Sequence, residues 1–96
     1  MSTKITASID AENTFSDVAN IEGYFNLSIS GTFVATITVQ RSTDKSTWVD
    51  VDTFTAPTET YGFDPEYMWY RVGIKAGDYT SGTAVIRVGH EDQEEH

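Results

Sequence analysis

The stretch Gln40-Arg41-Ser42-Thr43-Asp44-Lys45-Ser46-Thr47-Trp48 joins two alternating apolar runs through a short polar turn, and its reading decides the fold. In residues 33–42, Phe33, Ala35, Ile37 and Val39 share one parity and Thr36, Thr38 and Gln40 the other. That is the period of a strand with one face in a core. After the turn, Val49 and Val51 alternate with Asp50 and Asp52. The register that keeps both apolar sets together pairs Val39 with Val51 and Gln40 with Asp50, and sets Ser42 opposite Trp48. Closing the ladder leaves Asp44-Lys45-Ser46 as a three-residue loop, a form that ends in a residue of positive φ usually supplied by glycine. Ser46 stands at that place, so a strain of ~1 kcal/mol is expected there, and Ser46→Gly is expected to raise the melting temperature. Asp44 is suited to cap the turn through its side chain.

Outward from this hairpin, period-two runs broken by Gly, Pro, Asn and Asp give about seven strands and no helix. An opening strand covers residues 3–9, and a short extended piece covers 14–18. Residues 23–30 carry Phe25, Leu27 and Ile29 on one face, and Gly31-Thr32 is expected to turn that strand into 33–42. The return strand spans 47–55. Pro57 and Pro65 bracket a short strand at 59–63, expected to be an edge. Residues 67–76 place Met68, Tyr70, Val72 and Ile74 inward, and residues 79–89 do the same with Ala84, Ile86 and Val88. The whole reads as all-β: a single small antiparallel β-sandwich, immunoglobulin-like or jelly-roll-like, over residues 1–90. Residues 91–96, Glu-Asp-Gln-Glu-Glu-His, have no apolar side chain and read as an acidic, disordered tail.

Ninety-six residues suit one domain with one core. With no cysteine, neither disulfides nor a thiolate zinc site is available, so stability must come from packing. No apolar N-terminal core follows Met1, and no apolar run approaches the ~18 residues of a membrane span. Synthesis in the cytoplasm and no membrane partner are therefore expected. The net charge of −9 argues against nucleic acid as partner. Four of the fifteen acidic residues lie in the tail, which leaves eleven against six basic ones in residues 1–90.

The residues for catalysis are sparse. The histidines are His90 and His96, and no nucleophile, base and orienting acid group together in the pattern. His90 reads as a surface histidine, and a metal held by the two histidines and the tail would be adventitious. Asp50 and Asp52 share one strand face in the expected register, a spacing that could serve a carboxylate pair or calcium. However, Thr53-Phe54 follows where a calcium loop wants further ligands and a glycine, and an exposed strand face offers no cleft. A solvated face is the better reading. Ser42, Asp44 and Trp48 also loosely match the Asp box of sialidase propellers, but the glycine is missing and one copy builds no propeller. No catalytic, cofactor or metal residue is therefore assigned. Trp48, Tyr67, Trp69 and Arg71 are the candidate interface: the last three share the outward parity of one strand, in the residue types that anchor binding surfaces.

Several stretches carry a resemblance: Gly23-Tyr24-Phe25-Asn26-Leu27-Ser28-Ile29-Ser30-Gly31-Thr32-Phe33, then Val39-Gln40-Arg41-Ser42 with Asp44 and Thr47-Trp48, then Tyr70-Arg71-Val72 and Thr80-Ser81-Gly82-Thr83. Over residues 23–88 the chain resembles the small all-β virion proteins of tailed bacteriophages. Members tend to carry glycines after the hairpin aspartate, where this chain has Lys45 and Ser46. The resemblance implies a non-enzymatic virion protein without cofactor. It would be a capsid decoration or cement protein bound to the major capsid protein on the outer head surface, with a homotrimer expected by analogy. The alternative is a tail or head-fibre module that binds host-surface carbohydrate through Trp48 or Trp69.

Overall fold

A computed structural model describes the backbone of residues 2–91 and the side chains of residues 4–89. The acidic tail beyond Glu91 and the side chains of His90 and His96 lie outside the described residues. The chain is all-β, without a helix among the described residues. Its strands are β1 (Ser2–Ile9), β2 (Thr14–Phe15), β3 (Ala19–Ala35), β4 (Ile37–Ser42), β5 (Val49–Phe54), β6 (Thr58–Ile74) and β7 (Tyr79–Glu91). All pairings are antiparallel, in the order β1-β7-β3-β6-β4-β5, with β2 on β6.

Two strands of 17 residues, β3 and β6, make one hydrogen-bonded sheet serve as both layers of a small sandwich. Residues 25–35 of β3 pair with β7, and residues 23–29 pair with 58–64 of β6. Farther along, residues 69–73 of β6 pair with β4, while 68–70 pair with 19–21 of β3. The change of layer falls at a bulge where Ile21 faces Met68 but Gly23 faces Asp64. One extra-long bulge of this kind bends a strand and increases its twist. The layers meet in one core, where Ile29, Ile86 and Val88 pack with Ile37, Val39, Val72 and Ile74. Each such side chain removed from water contributes about 1.5–3 kcal/mol before the cost of ordering. The shortest dimension, 17 Å, is that of two layers about 10 Å apart.

The inward sets expected for 23–30, 67–76 and 79–89 are buried as read, save Phe25, which is half-buried against the core, and 59–63 is an edge. Three expectations are corrected. First, Gly31-Thr32 does not end a strand: Gly31 pairs with Ala84 and Thr32 with Thr83 inside a continuous β3. Gly31 has φ +96°, and a Cβ there would collide with the Thr83 carbonyl, so the glycine serves a bend within a paired strand. The break comes instead at Thr36, between β3 and β4. Second, Pro65 does not separate two strands, because it falls in the bulge of β6, where no ladder N–H is required.

Third, the hairpin register shifts. Gln40 pairs with Asp50 as expected, but Val39 pairs with Asp52, and Val51 is the extra residue of a bulge. The bulge reverses parity, so Asp50 lies on the face of Gln40 and Asp52 on the face of Val39, not both on one face. Its gain is Phe54, which comes opposite Ile37 and packs on the core. In the turn, the positive φ belongs to Lys45 (65°), not Ser46. Ser42 Oγ accepts from the Asp44 and Lys45 N–H groups, and Asp44 Oδ1 accepts from those of Ser46 and Thr47. Those bonds hold the Asp44 carboxyl below its ordinary pKa and put the left-handed residue between the two caps.

The strain is therefore testable at Lys45 rather than Ser46. Lys45→Gly and Lys45→Ala lose the same contact with Trp69 but differ in left-handed strain, so the glycine variant should be more stable by ~1 kcal/mol. At Ser46 the order should reverse, because glycine there only frees the unfolded chain. Denaturant midpoints of the four variants check this, and equal stability of the two Lys45 variants would contradict it.

Candidate functional site

The outward face of β6 is where sequence placed the candidate interface, and it is largely roofed. At Gly73 the missing side chain admits the backbone of β2: Thr14 and Phe15 lie where a Cβ would be. Ser16 extends the contact, donating its N–H to the Val72 carbonyl (2.8 Å) and accepting the Val72 N–H on Oγ (3.1 Å). This seats the Phe15 ring 4.3 Å from the Arg71 guanidinium carbon, while the Trp48 ring lies 4.4 Å from the same carbon. Arg71 Nε donates to Gln40 Oε1 (2.8 Å), Gln40 Nε2 donates to Asp50 Oδ1 (2.8 Å), and Lys75 Nζ donates to Asp50 Oδ2 (2.7 Å).

This chain of contacts ties β2, β4, β5 and β6 together across the outer face. Burial lowers the Arg71 pKa, and the Lys75 ammonium, followed by Gln40, lowers that of Asp50. Trp69 is half-buried with Lys45 Nζ 5.4 Å from its ring centroid. Of the four candidates, Trp48 and Arg71 are brought together, Trp69 sits beneath the hairpin turn, and Tyr67 stays exposed. Asp50 is a member of this network rather than half of a carboxylate pair. Among the described residues, no three histidine, cysteine or carboxylate side chains come together as metal ligands.

A different surface emerges on the open side of the sandwich. Residues 58–64 of β6 pair with β3 along one edge, while β4 pairs along the other edge only at 69–73. In the second layer, β5 pairs with β4 alone. Between these two strand edges runs an open groove of about 190 Å³, with Phe25, Leu27, Val39, Phe54 and Tyr70 toward the core and Val51, Asp52 and Phe63 at the rim. Beside it stands an aromatic ridge: the Tyr24 ring lies 4.8 Å from Phe63 and 6.4 Å from Tyr61, and Tyr61 is 72% exposed. Val51 of β5 is exposed on the opposite rim, and Val49 is exposed farther along the same strand. An apolar surface of this kind, rimmed by polar groups, is the usual mark of an interaction site.

Sequence reasoning missed Tyr24, Tyr61 and Phe63, although their signal was present. Tyr24 shares the parity of Asn26 and Ser28, and Tyr61 and Phe63 that of Glu59, so all three were readable as outward-facing. What gathers them is the non-local pairing of Tyr24 with Phe63 and Asn26 with Tyr61.

At the inner end of the same edge lies the one buried charged side chain among the described residues, Asp64, 2% exposed. Arg41 reaches it from β4 through Nε (2.8 Å) and Nη2 (3.4 Å), the Tyr70 hydroxyl donates to Oδ2 (2.8 Å), and the Glu66 N–H donates to Oδ1 (3.1 Å). Both carboxylate oxygens are thus satisfied. The arrangement joins the two layers, and its Tyr70 also lines the groove.

No protein-family model, characterised protein or solved structure matches the chain.

Proposed function

We propose that this chain is a non-enzymatic structural protein of a tailed-bacteriophage particle, which decorates the outer head surface and binds the major capsid protein. The resemblance of residues 23–88 to small all-β virion proteins supplies the class, and one observation carries the binding role. The ridge of Tyr24, Tyr61 and Phe63 stands exposed beside a strand edge that has no partner along residues 58–64. Aromatic side chains at the centre of an interface are its usual energetic anchors, and truncating one typically costs 2 kcal/mol or more, roughly thirtyfold in affinity. Repeated around a symmetric shell, contacts of modest strength add through avidity and hold neighbouring subunits against outward pressure.

Quantitative mass spectrometry of purified particles tests this reading. The expected result is a fixed stoichiometric ratio of this chain to the major capsid protein, with particles lacking it losing their genome at a lower temperature. Absence from purified particles would overturn it. The glycan-binding alternative rests on Trp48 and Trp69, whose rings are half-buried against Arg71 and Lys45, so it is not taken up.

A further inference from the structure

The edge at residues 58–64 is left open in its middle. Natural edges are blunted by charged side chains, inward-pointing charges, proline, a bulge or a covering loop. In Thr-Glu-Thr-Tyr-Gly-Phe-Asp such devices stand only toward the ends: Glu59, the inward and buried Asp64, the prolines just outside at 57 and 65, and a bulge that begins beyond Asp64. Its ladder to β3 is regular from Ile29–Thr58 to Gly23–Asp64. Along its other edge the alternate N–H and C=O groups of an in-register strand point into the groove side.

The groove is shaped by what β6 does not put there. The inward positions 60 and 62 are Thr and Gly, and the Phe25 ring lies against Gly62. These two small inward residues leave the gap to Phe54 and Val51 on β5 open, with Tyr61 and Phe63 at its rim. A cavity of ~150 Å³ lined by aliphatic and aromatic groups holds a molecule the size of benzene, so about 190 Å³ accommodates an apolar side chain of similar bulk.

Charge selects among occupants. Asp52 lines the groove on the β5 side, while Glu59 faces outward and accepts a hydrogen bond from the Ser28 hydroxyl. No lysine or arginine lines the groove. Arg41 is paired with Asp64 and Lys75 with Asp50. A second copy of this chain would bring two strongly acidic proteins together, each with Asp52 at its groove.

We infer that the open side binds an extended, basic segment of another protein, which adds to residues 58–64 as a further strand and seats an apolar side chain between β5 and β6. Main-chain hydrogen bonds along the edge give affinity, and the groove with Asp52 at its rim gives selectivity. The inference takes up the binding role proposed above and specifies the segment bound, but it does not require the partner to belong to a virion.

Selection of a ribosome-displayed library of random nonapeptides on the immobilised full chain tests it. Enriched peptides should alternate apolar residues with Lys or Arg and should lack a central proline. A synthetic peptide of the enriched consensus should slow amide exchange in residues 58–64. Its binding should weaken at least about tenfold for Val51→Asp and for Asp52→Lys. Both sites are exposed, so the variants should keep the wild-type circular dichroism. Failure to enrich, enrichment of acidic or proline-centred peptides, or binding unaffected by the variants would overturn the inference. So would a dimer seen in sedimentation equilibrium and abolished by Tyr61→Asp, which would make a second copy the occupant. Absence of the chain from virions while basic peptides are still selected would remove only the head assignment, and the reverse outcome would remove only this inference.

Discussion

Replacing Arg41 by methionine should destabilise the chain by about 3 kcal/mol, because it leaves a buried carboxylate without its counter-ion. Asp64 is almost wholly shielded from water, and its remaining partners, the Tyr70 hydroxyl and the Glu66 N–H, donate hydrogen bonds but no charge. The reverse substitution, Asp64→Asn, should cost less, since Arg41 is partly exposed and can turn to water. A double-mutant cycle by urea denaturation should therefore show strong coupling between the two positions. Additive effects would mean that the pair does not act as a unit.

The same group sets the limits of the stability profile. Burial pushes the Asp64 pKa up, but Arg41, the Glu66 N–H and the Tyr70 hydroxyl together hold it below the ordinary carboxylate value. A depressed folded pKa means that its stabilisation is present above the unfolded value of ~3.9 and is lost as pH falls through the folded value. In Arg41→Met the loss should begin at higher pH. Tyr70 behaves oppositely: burial, then the hydrogen bond to Asp64, raises it to about 12. Its contribution is intact below the unfolded value of ~10 and is lost as pH rises through about 12. Tyrosinate absorbance should show one phenol ionising last, together with alkaline unfolding.

Gly73→Val is the second substitution with a large expected effect, about 3 kcal/mol. The new side chain would occupy the place of Thr14 and Phe15 backbone, which a flexible neighbour cannot vacate. Lifting β2 away also breaks the Ser16–Val72 hydrogen bonds and takes the Phe15 ring from Arg71. Thermal unfolding should shift strongly, and the near-ultraviolet dichroism of the Trp48 environment should change even below the midpoint. A variant within about 1 kcal/mol of the parent would show that β2 is not held through this contact.

The inward sets of β6 and β7 were legible because alternation is a local signal: Met68 to Ile74 and Ala84 to Val88 mark their buried face without reference to any partner. The bulge at Val51 was not, since a single inserted residue leaves the alternation of Val49 to Asp52 intact and is decided by Phe54 finding the core. Gly31-Thr32 carries the composition of a turn, yet its glycine answers a close carbonyl across β7 rather than a chain reversal. Likewise Ser42 and Asp44 fixed the turn length, while the strained position depended on which N–H groups each cap accepts. The open side escaped for the same reason on a larger scale. Its aromatics were readable as outward, but their gathering beside an unpaired edge is a product of where β6 changes layer.

The open side of the sandwich, with its free edge at residues 58–64, is the proposed working surface. Amide hydrogen exchange of the chain, free and bound to purified phage heads, measures it directly. Amides in residues 58–64 that lack a partner in the free protein should gain strong protection on binding, while those of β1 and β7 stay unchanged. Unaltered exchange at residues 58–64, with new protection confined to another face, would contradict it.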